Sequence, residues 1–285
     1  MRPLDGYIKN QLDKHLEKIE VNLKADGIAI VSPILYKLDN NVRDTLELIE
    51  NKKKTLVVIH DTPGGVAEVV ERIVSAIRHF YEEVFFIIPD RAMSAGTIFA
   101  LSGDRILMDY FSCLGPIDPQ IEKDGRLVPA LSYLNQFERL KEKATMGELT
   151  SAEYALLSKM DLGELYQFEQ ARELSKELLI QWLSKYKFKN WNETQTNKIK
   201  VTDDFKKKRA DEIARKLNDS NRWHSHSRGI AMQTLRDEVG LQIEDYTEIE
   251  GLGPTVKEYF ELLQDYMTRE KLVSFVHSKR GVFSI

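Results

Sequence analysis

The chain has 285 residues, 42% hydrophobic and 30% charged, and its 41 basic and 45 acidic side chains leave a formal net charge of −4. That apolar content supports a packed core and excludes a wholly disordered chain, and the near balance of charge argues against nucleic acid as a partner. The single cysteine, Cys113, excludes an intrachain disulfide, and between Ser112 and Leu114 it reads as a small packed residue.

The opening stretch MRPLDGYIKNQLDKHLEKIE is charged throughout, without the apolar segment of a secretory signal. No run approaches the ~18 apolar residues of a membrane helix. The expectation is a cytoplasmic protein that makes no membrane contact. Residues 5–23 carry Ile8, Leu12, Leu16, Ile19 and Leu23 on one helical stripe, an arm able to pack on the domain or on another subunit. A strand is expected at 27–34, a helix at 40–51, and a β-branched strand at 54–60. Residues 65–81 place Val66, Val69, Val70, Ile73, Val74, Ile77, Phe80 and Tyr81 at helical spacing. Apolar strands at 83–89 and 105–109 follow. Unbroken apolar strands alternating with helices imply parallel pairing with both faces covered, so the first half is an α/β unit.

Beyond about residue 130 the chain becomes mostly helical and charged. A polar break spans 187–200, and Thr202 reads as the N-cap of a helix to Leu217. The basic cluster there is interrupted by acids and reads as a solvated helix face. A loop fills 218–229, a helix 229–239 ends at Gly240, LQIEDY offers a short strand, and a last helix covers 254–272. The division expected is an N-terminal helical arm over 1–24, an α/β core over 25–130, and a mainly helical region over 131–285 packing on that core.

Two strand-to-helix links carry chemistry. HDTPGGVAE (60–68) brings paired glycines to a helix start, and DRAMSAGT (90–97) brings Ser94 to the next one. In a parallel sheet such links gather at the carboxyl ends of the strands, so they should lie side by side. Gly64 and Gly65 permit positive φ and close approach of a backbone to a ligand, with N–H groups facing a developing negative charge. Taken alone, Pro-Gly-Gly is a turn and a serine before a helix is a cap. One β-α-β step apart, they form a nucleophile facing a two-donor oxyanion hole.

The pieces VIHDTPGGV, AMSAGT, SGDRILMD and LGPIDPQ, in this order across roughly residues 27–125, resemble the Clp protease/crotonase superfamily. Within it the chain is most similar to the serine dehydrogenase proteinases, relatives of Clp protease and of SppA-type peptidases. ELYQFEQARELSKELLIQWLSKYKFKNW and RWHSHSRGI are also similar to that family. The resemblance implies a Clp protease/crotonase-like fold of repeated β-α-β units with a mostly helical C-terminal extension. It implies serine peptidase activity, with Ser94 as nucleophile and the backbone of Gly65 and Ala95 as oxyanion donors. No cofactor or metal is expected.

The resemblance also implies a triad in the order Ser, Asp, His, which falls on Ser94, Asp118 and a histidine of RWHSHSRGI, His226 first and His224 second. Where Clp proteases carry a histidine base this chain has Asp118, a poor base for a hydroxyl because of its low intrinsic pKa. SppA-type enzymes use a lysine, for which Lys141 and Lys143 are the candidates, although RLKEKATMGE reads as a solvated face and a lysine base needs desolvation. His60 is a further candidate that could equally bond a backbone carbonyl. His15 and His79 read as structural. His-x-His alone is an incomplete zinc site.

The resemblance further implies a peptide or protein substrate and a homo-oligomer. The chain has no GxxxxGK[ST] motif, so an ATPase or regulatory partner would be separate. Two other readings compete. One is a crotonase-like acyl-CoA enzyme, against which stand the serine in the turn and the lack of an acidic pair flanking the glycine loop. The other is a non-catalytic interaction protein that keeps the fold.

Overall fold

The computed structural model describes residues 3–117, 120–123, 126–194 and 196–284. Helix α1 (Pro3–Leu23) leads into strand β1 (Asp26–Val31), followed by α2 (Leu38–Glu47), β2 (Thr55–Asp61), α3 (Ala67–Phe80) and β3 (Glu83–Ile87). Then come the short β4 (Arg91–Ala92), α4 (Ala95–Ala100), β5 (Arg105–Met108), β6 (Cys113–Leu114) and a hairpin of β7 (Gln120–Lys123) with β8 (Arg126–Pro129). The second half holds α5 (Ala130–Met146), α6 (Ser151–Leu157), α7 (Leu162–Trp182), a π-turn over Leu183–Lys187, α8 (Asp203–Leu217) and the short α9 (Ser220–Trp223). It closes with β9 (Ile230–Ala231), α10 (Met232–Thr234), a π-turn over Leu235–Val239, β10 (Glu244–Asp245), α11 (Leu252–Glu270), β11 (Phe275–Ser278) and β12 (Gly281–Ser284).

The main sheet has seven strands in the order β10-β5-β3-β2-β1-β11-β12. β1, β2, β3, β5 and β10 run parallel, and the apolar runs of the first four suit a sheet covered on both faces. Alternation along each strand assigns the two faces. Ile28, Ile30, Leu56, Val58, Val84 and Phe86 pack toward α2, α3, α4, α7 and α8. Ala29, Val31, Val57, Ile59, Phe85 and Ile87 pack toward α1 and α11. The stripe Ile8, Leu12, Leu16, Ile19 is buried against α11, so the N-terminal helix covers the sheet of its own chain.

Two expectations at the level of elements need correction, and one sheet was not expected. The chain after 272 carries a hairpin whose β11 pairs antiparallel with β1, Ala29 opposite His277. Residues 230–231, expected in a helix, form β9, and the rest of that segment is one helical turn and a π-turn ended by Gly240 at φ 79. A second sheet, β4-β6-β9, was not apparent from local pattern. His277 is fully buried, contacts the Tyr259 hydroxyl through Nδ1 at 2.8 Å and Asp13 through Nε2 at 2.9 Å, and ties α11 and α1 to β11.

Candidate active site

The two links lie side by side at the carboxyl ends of β2 and β3. Thr62 N–H donates to Arg91 O at 3.0 Å and Met93 N–H returns to Thr62 O at 3.1 Å, lacing the glycine loop to β4. Gly64 N–H donates to Thr62 Oγ1 at 3.1 Å. A β-carbon at Gly64 would stand 3.0 Å from Ser94 Cβ, so the loop and the serine are in direct contact. At Gly65 (φ 149) a β-carbon would collide with Ile34 O. That carbonyl cannot retreat, because it accepts Val66 N–H at 2.8 Å while Ile34 N–H donates to Gly64 O at 2.9 Å. Glycine is required here by both φ and space.

Ser94 occupies φ 51, ψ −115, a conformation that costs a non-glycine residue on the order of 1–3 kcal/mol. Its side chain makes no capping hydrogen bond to the first turn of α4, although it stands at the N-cap. The small residues behind it are sterically required: a β-carbon at Gly96 would strike Thr62 Cγ2. Thr97 fixes the turn from below. Its hydroxyl lies 2.7 Å from Ala92 O and 2.8 Å from Gly115 O, and accepts Gly115 N–H at 3.0 Å. Among the described residues no hydrogen bond takes up the N–H of Gly65 or of Ala95.

His60 lies beneath this turn. It is fully buried, its Nδ1 is 3.2 Å from Ile30 O, and Phe99 and Phe86 meet its ring edge-to-face. Nε2 is buried without a hydrogen bond and faces Gly96, at 3.3 Å from where a β-carbon would be. Burial pushes its pKa down to about 4. The histidine therefore satisfies a backbone carbonyl, one of the two readings the sequence offered.

The other candidates are distributed as follows. β6 pairs parallel with β4 and antiparallel with β9, Ala92 opposite Leu114 and Leu114 opposite Ile230. The segment before β9 therefore runs toward the end of the small sheet at which Ser94 stands, two strands across, roughly 10 Å at the usual strand spacing. His226 is half-buried on that segment, its Nδ1 is buried without a partner, and burial lowers its pKa. His224 is exposed at φ 60. Asp118 lies outside the described residues. Lys141 is exposed on α5 and paired with Glu138 at 3.1 Å, while Lys143 pairs with Glu153. His15 faces Glu258 at 3.5 Å, between α1 and α11. Cys113 is half-buried with its thiol pKa raised by burial, in line with a packing role.

One feature of the site contradicts the sequence reading. An acidic pair does stand beside the glycine loop: Asp61 ends β2, Asp90 follows β3, and burial together with the charge of Asp90 raises the Asp61 carboxyl to about 6. Asp61 Oδ1 also accepts Arg91 N–H at 3.3 Å. The signal was present, since two adjacent apolar strands each run into an aspartate, but neighbouring positions need the register to be seen. Among the described residues, no group of three or more His, Cys, Asp or Glu side chains is arranged to hold a metal ion. Nor is any helix among them long and apolar enough to cross a membrane.

Two uncharacterized proteins of Methanocaldococcus jannaschii are similar: MJ1495 is 31% identical over 160 residues, 53% of each chain. MJ0137 is 35% identical over 159 residues, 53% of this chain and 54% of its own. The chain thus spans about half the length of the curated relatives it matches. Among solved structures, a serine-to-alanine mutant of the 1510-N membrane-bound stomatin-specific protease aligns with a TM-score of 0.42 at 14% identity, over 77% of this chain and 79% of that one. A lysine-to-alanine mutant of the same protease in complex with a substrate peptide aligns with a TM-score of 0.32 at 23% identity, over 49% and 76%. A family model matches residues 26–178, more than half of the chain, from β1 through most of α7, and on that match the chain belongs to the ClpP-like SDH-type serine proteinases.

Proposed function

We propose that this chain hydrolyses peptide bonds with Ser94 as nucleophile. The observation that carries the reading is the Ser94 backbone: a strained, positive-φ serine at a strand-to-helix turn whose side chain does not cap the helix it precedes. Strain of this kind is kept where the surrounding structure demands it, and a serine on a sharp strand-to-helix turn is placed as a nucleophile elbow places it. Ser94 Oγ attacks the scissile carbonyl, and the N–H groups of Gly65 and Ala95 hold the resulting oxyanion. His226 takes the serine proton and returns it to the leaving amine, giving an acyl-enzyme that water then hydrolyses, with Asp118 orienting the imidazole. The sheet register and the unpartnered Nδ1 of His226 support this assignment over Lys141 and Lys143, whose ammonium groups are held in ion pairs with Glu138 and Glu153. The substrate is a peptide or protein.

The test is labelling with a fluorophosphonate, followed by peptide cleavage. The wild-type chain should label at Ser94, and Ser94→Ala should neither label nor cleave while keeping its fold. An alanine variant with full turnover would sink the reading, and would return the chain to the acyl-CoA or non-catalytic alternatives. The pH–rate profile should show an acid limb below the ordinary histidine value of about 6.5, because burial favours neutral His226. His226→Ala should lose at least about 100-fold in rate, and an unchanged rate would dismiss it as the base.

A further inference from the structure

The segment that carries His226 also carries a cation with no acid beside it. Trp223 is buried, and its indole Nε1–H donates to Lys216 O at 2.7 Å, which fixes the ring. Two guanidinium groups lie against that ring, Arg222 at 5.1 Å from its centroid and Arg228 at 5.8 Å. They differ in what else holds them. Arg222 is paired with Glu238. Arg228 is exposed, its Nη1 donates to Trp223 O at 3.5 Å, and among the described residues no carboxylate pairs with it. A guanidinium already ordered on an aromatic face loses little further freedom when its fork meets a carboxylate.

The register of the small sheet sets Arg228 against Ser94. Ala92, Leu114 and Ile230 form one row across β4, β6 and β9. Because β9 runs against β4, Ser94, two residues after Ala92, and Arg228, two residues before Ile230, lie beyond the same end of the sheet. Two strand spacings separate them, roughly 10 Å, the length of about three residues of extended peptide. The opposite end of β4 has the other polarity. Arg91 is exposed there, but its charge acts on the Asp61 carboxyl, which Asp90 also faces. A carboxylate arriving over the small sheet is repelled by Asp61 and Asp90 and meets its unpaired cation at the Ser94 end.

We infer that Arg228 binds a carboxylate of the peptide substrate and so selects which bond Ser94 cuts, within about three residues of that carboxylate. The inference rests on Ser94 as the nucleophile of a peptidase. The carboxylate is that of the peptide C-terminus or of an Asp or Glu side chain, two sources with the same planar, bidentate chemistry. Arg222 cannot take this part while Glu238 holds it.

Protection of Ser94 from a fluorophosphonate by peptides tests this on the full chain. Mixed-sequence decapeptides, each with one glutamate, are used as free acids, with an amidated C-terminus, with glutamine for the glutamate, and with both changes. Each protein serves as its own reference, read as the ratio of half-protecting concentrations for the neutral and the acidic forms. In wild type the doubly neutral peptides should protect about tenfold or more weakly. Whichever single change reproduces that loss identifies the carboxylate. Arg228→Gln, with unchanged circular dichroism, should bring the ratio to one, and Arg228→Lys, which keeps the charge without the fork, should give an intermediate ratio. Mass spectrometry of the cleaved peptides should place the cuts within about three residues of the carboxylate. Equal protection by acidic and neutral peptides in wild type, no protection by either, or a ratio that survives in Arg228→Gln would overturn the inference while Ser94 still labels. A wild type that does not label at Ser94 would instead remove the peptidase reading and the inference with it.

Discussion

His60 makes acid the most informative perturbation of this fold. Its imidazole is sealed between Ile30 O, Phe86, Phe99 and Gly96, and its pKa is held near 4. In the unfolded chain an ordinary histidine titrates near 6.5. The folded pKa is depressed, so the stabilising contribution is complete above the unfolded value and is lost as pH falls toward the folded one. Between the two values the unfolded chain holds one more proton than the folded chain, a slope of about 1.4 kcal/mol per pH unit. Integrated over that window, the loss is roughly 3 kcal/mol, a large part of the ~5–15 kcal/mol typical of a domain. The control is His60→Asn, whose amide can still donate to Ile30 O but does not titrate. Urea unfolding of both proteins, from about pH 8 down to about pH 4, gives stability as a function of pH. His15 and His226, also lowered by burial, and Asp61, raised by it, contribute equally to both proteins and cancel in the difference. The stability difference between wild type and variant should shrink by about 3 kcal/mol across the window. A difference independent of pH would refute the claim that His60 is buried neutral beneath the Ser94 turn.

Three other substitutions probe the site. Gly65→Ala should displace the glycine loop from Ile34 and slow fluorophosphonate labelling of Ser94 by about 100-fold or more, and a wild-type labelling rate would show that the loop takes no part. Asp61→Asn removes a carboxyl whose folded pKa is raised, so it should stabilise the protein by about 1–2 kcal/mol at pH 8, an advantage that disappears below about pH 4; an equal gain at both pH values in urea titrations would exclude charge as the cause. Thr97→Val keeps the shape and removes the hydroxyl between Ala92 O and Gly115 O, with an expected cost of about 1–3 kcal/mol in urea unfolding. No loss there would mean that those carbonyls find other partners.

The parts legible in the sequence are those encoded locally. Strands such as LVVIH and VFFII are apolar on both faces because the sheet is covered twice, so each announces itself without knowledge of its neighbours. The Ser94 turn was readable for a similar reason, because the crowding that excludes a side chain behind the serine leaves Gly96 in the sequence. What escaped is encoded by pairing. β9 is two residues long and has no pattern of its own. β11 includes His277 and Ser278, polar residues whose burial depends on Asp13 and Tyr259 far away in sequence. The Asp61–Asp90 pair likewise follows from the side-by-side placement of β2 and β3, which no single segment contains.

The covering of the sheet by α1 and α11 has a consequence for synthesis. Ile8, Leu12, Leu16 and Ile19 are made more than two hundred residues before much of what buries them, Val256, Tyr259 and Leu263. β1 likewise waits for β11, its antiparallel neighbour from the far end of the chain. At about 5–20 residues per second the apolar stripe of α1 must stay uncovered for some ten seconds or more while the ribosome works through the rest. During that interval the nascent helix is a natural target for a holdase chaperone, and slow codons between α1 and α11 would lengthen its exposure.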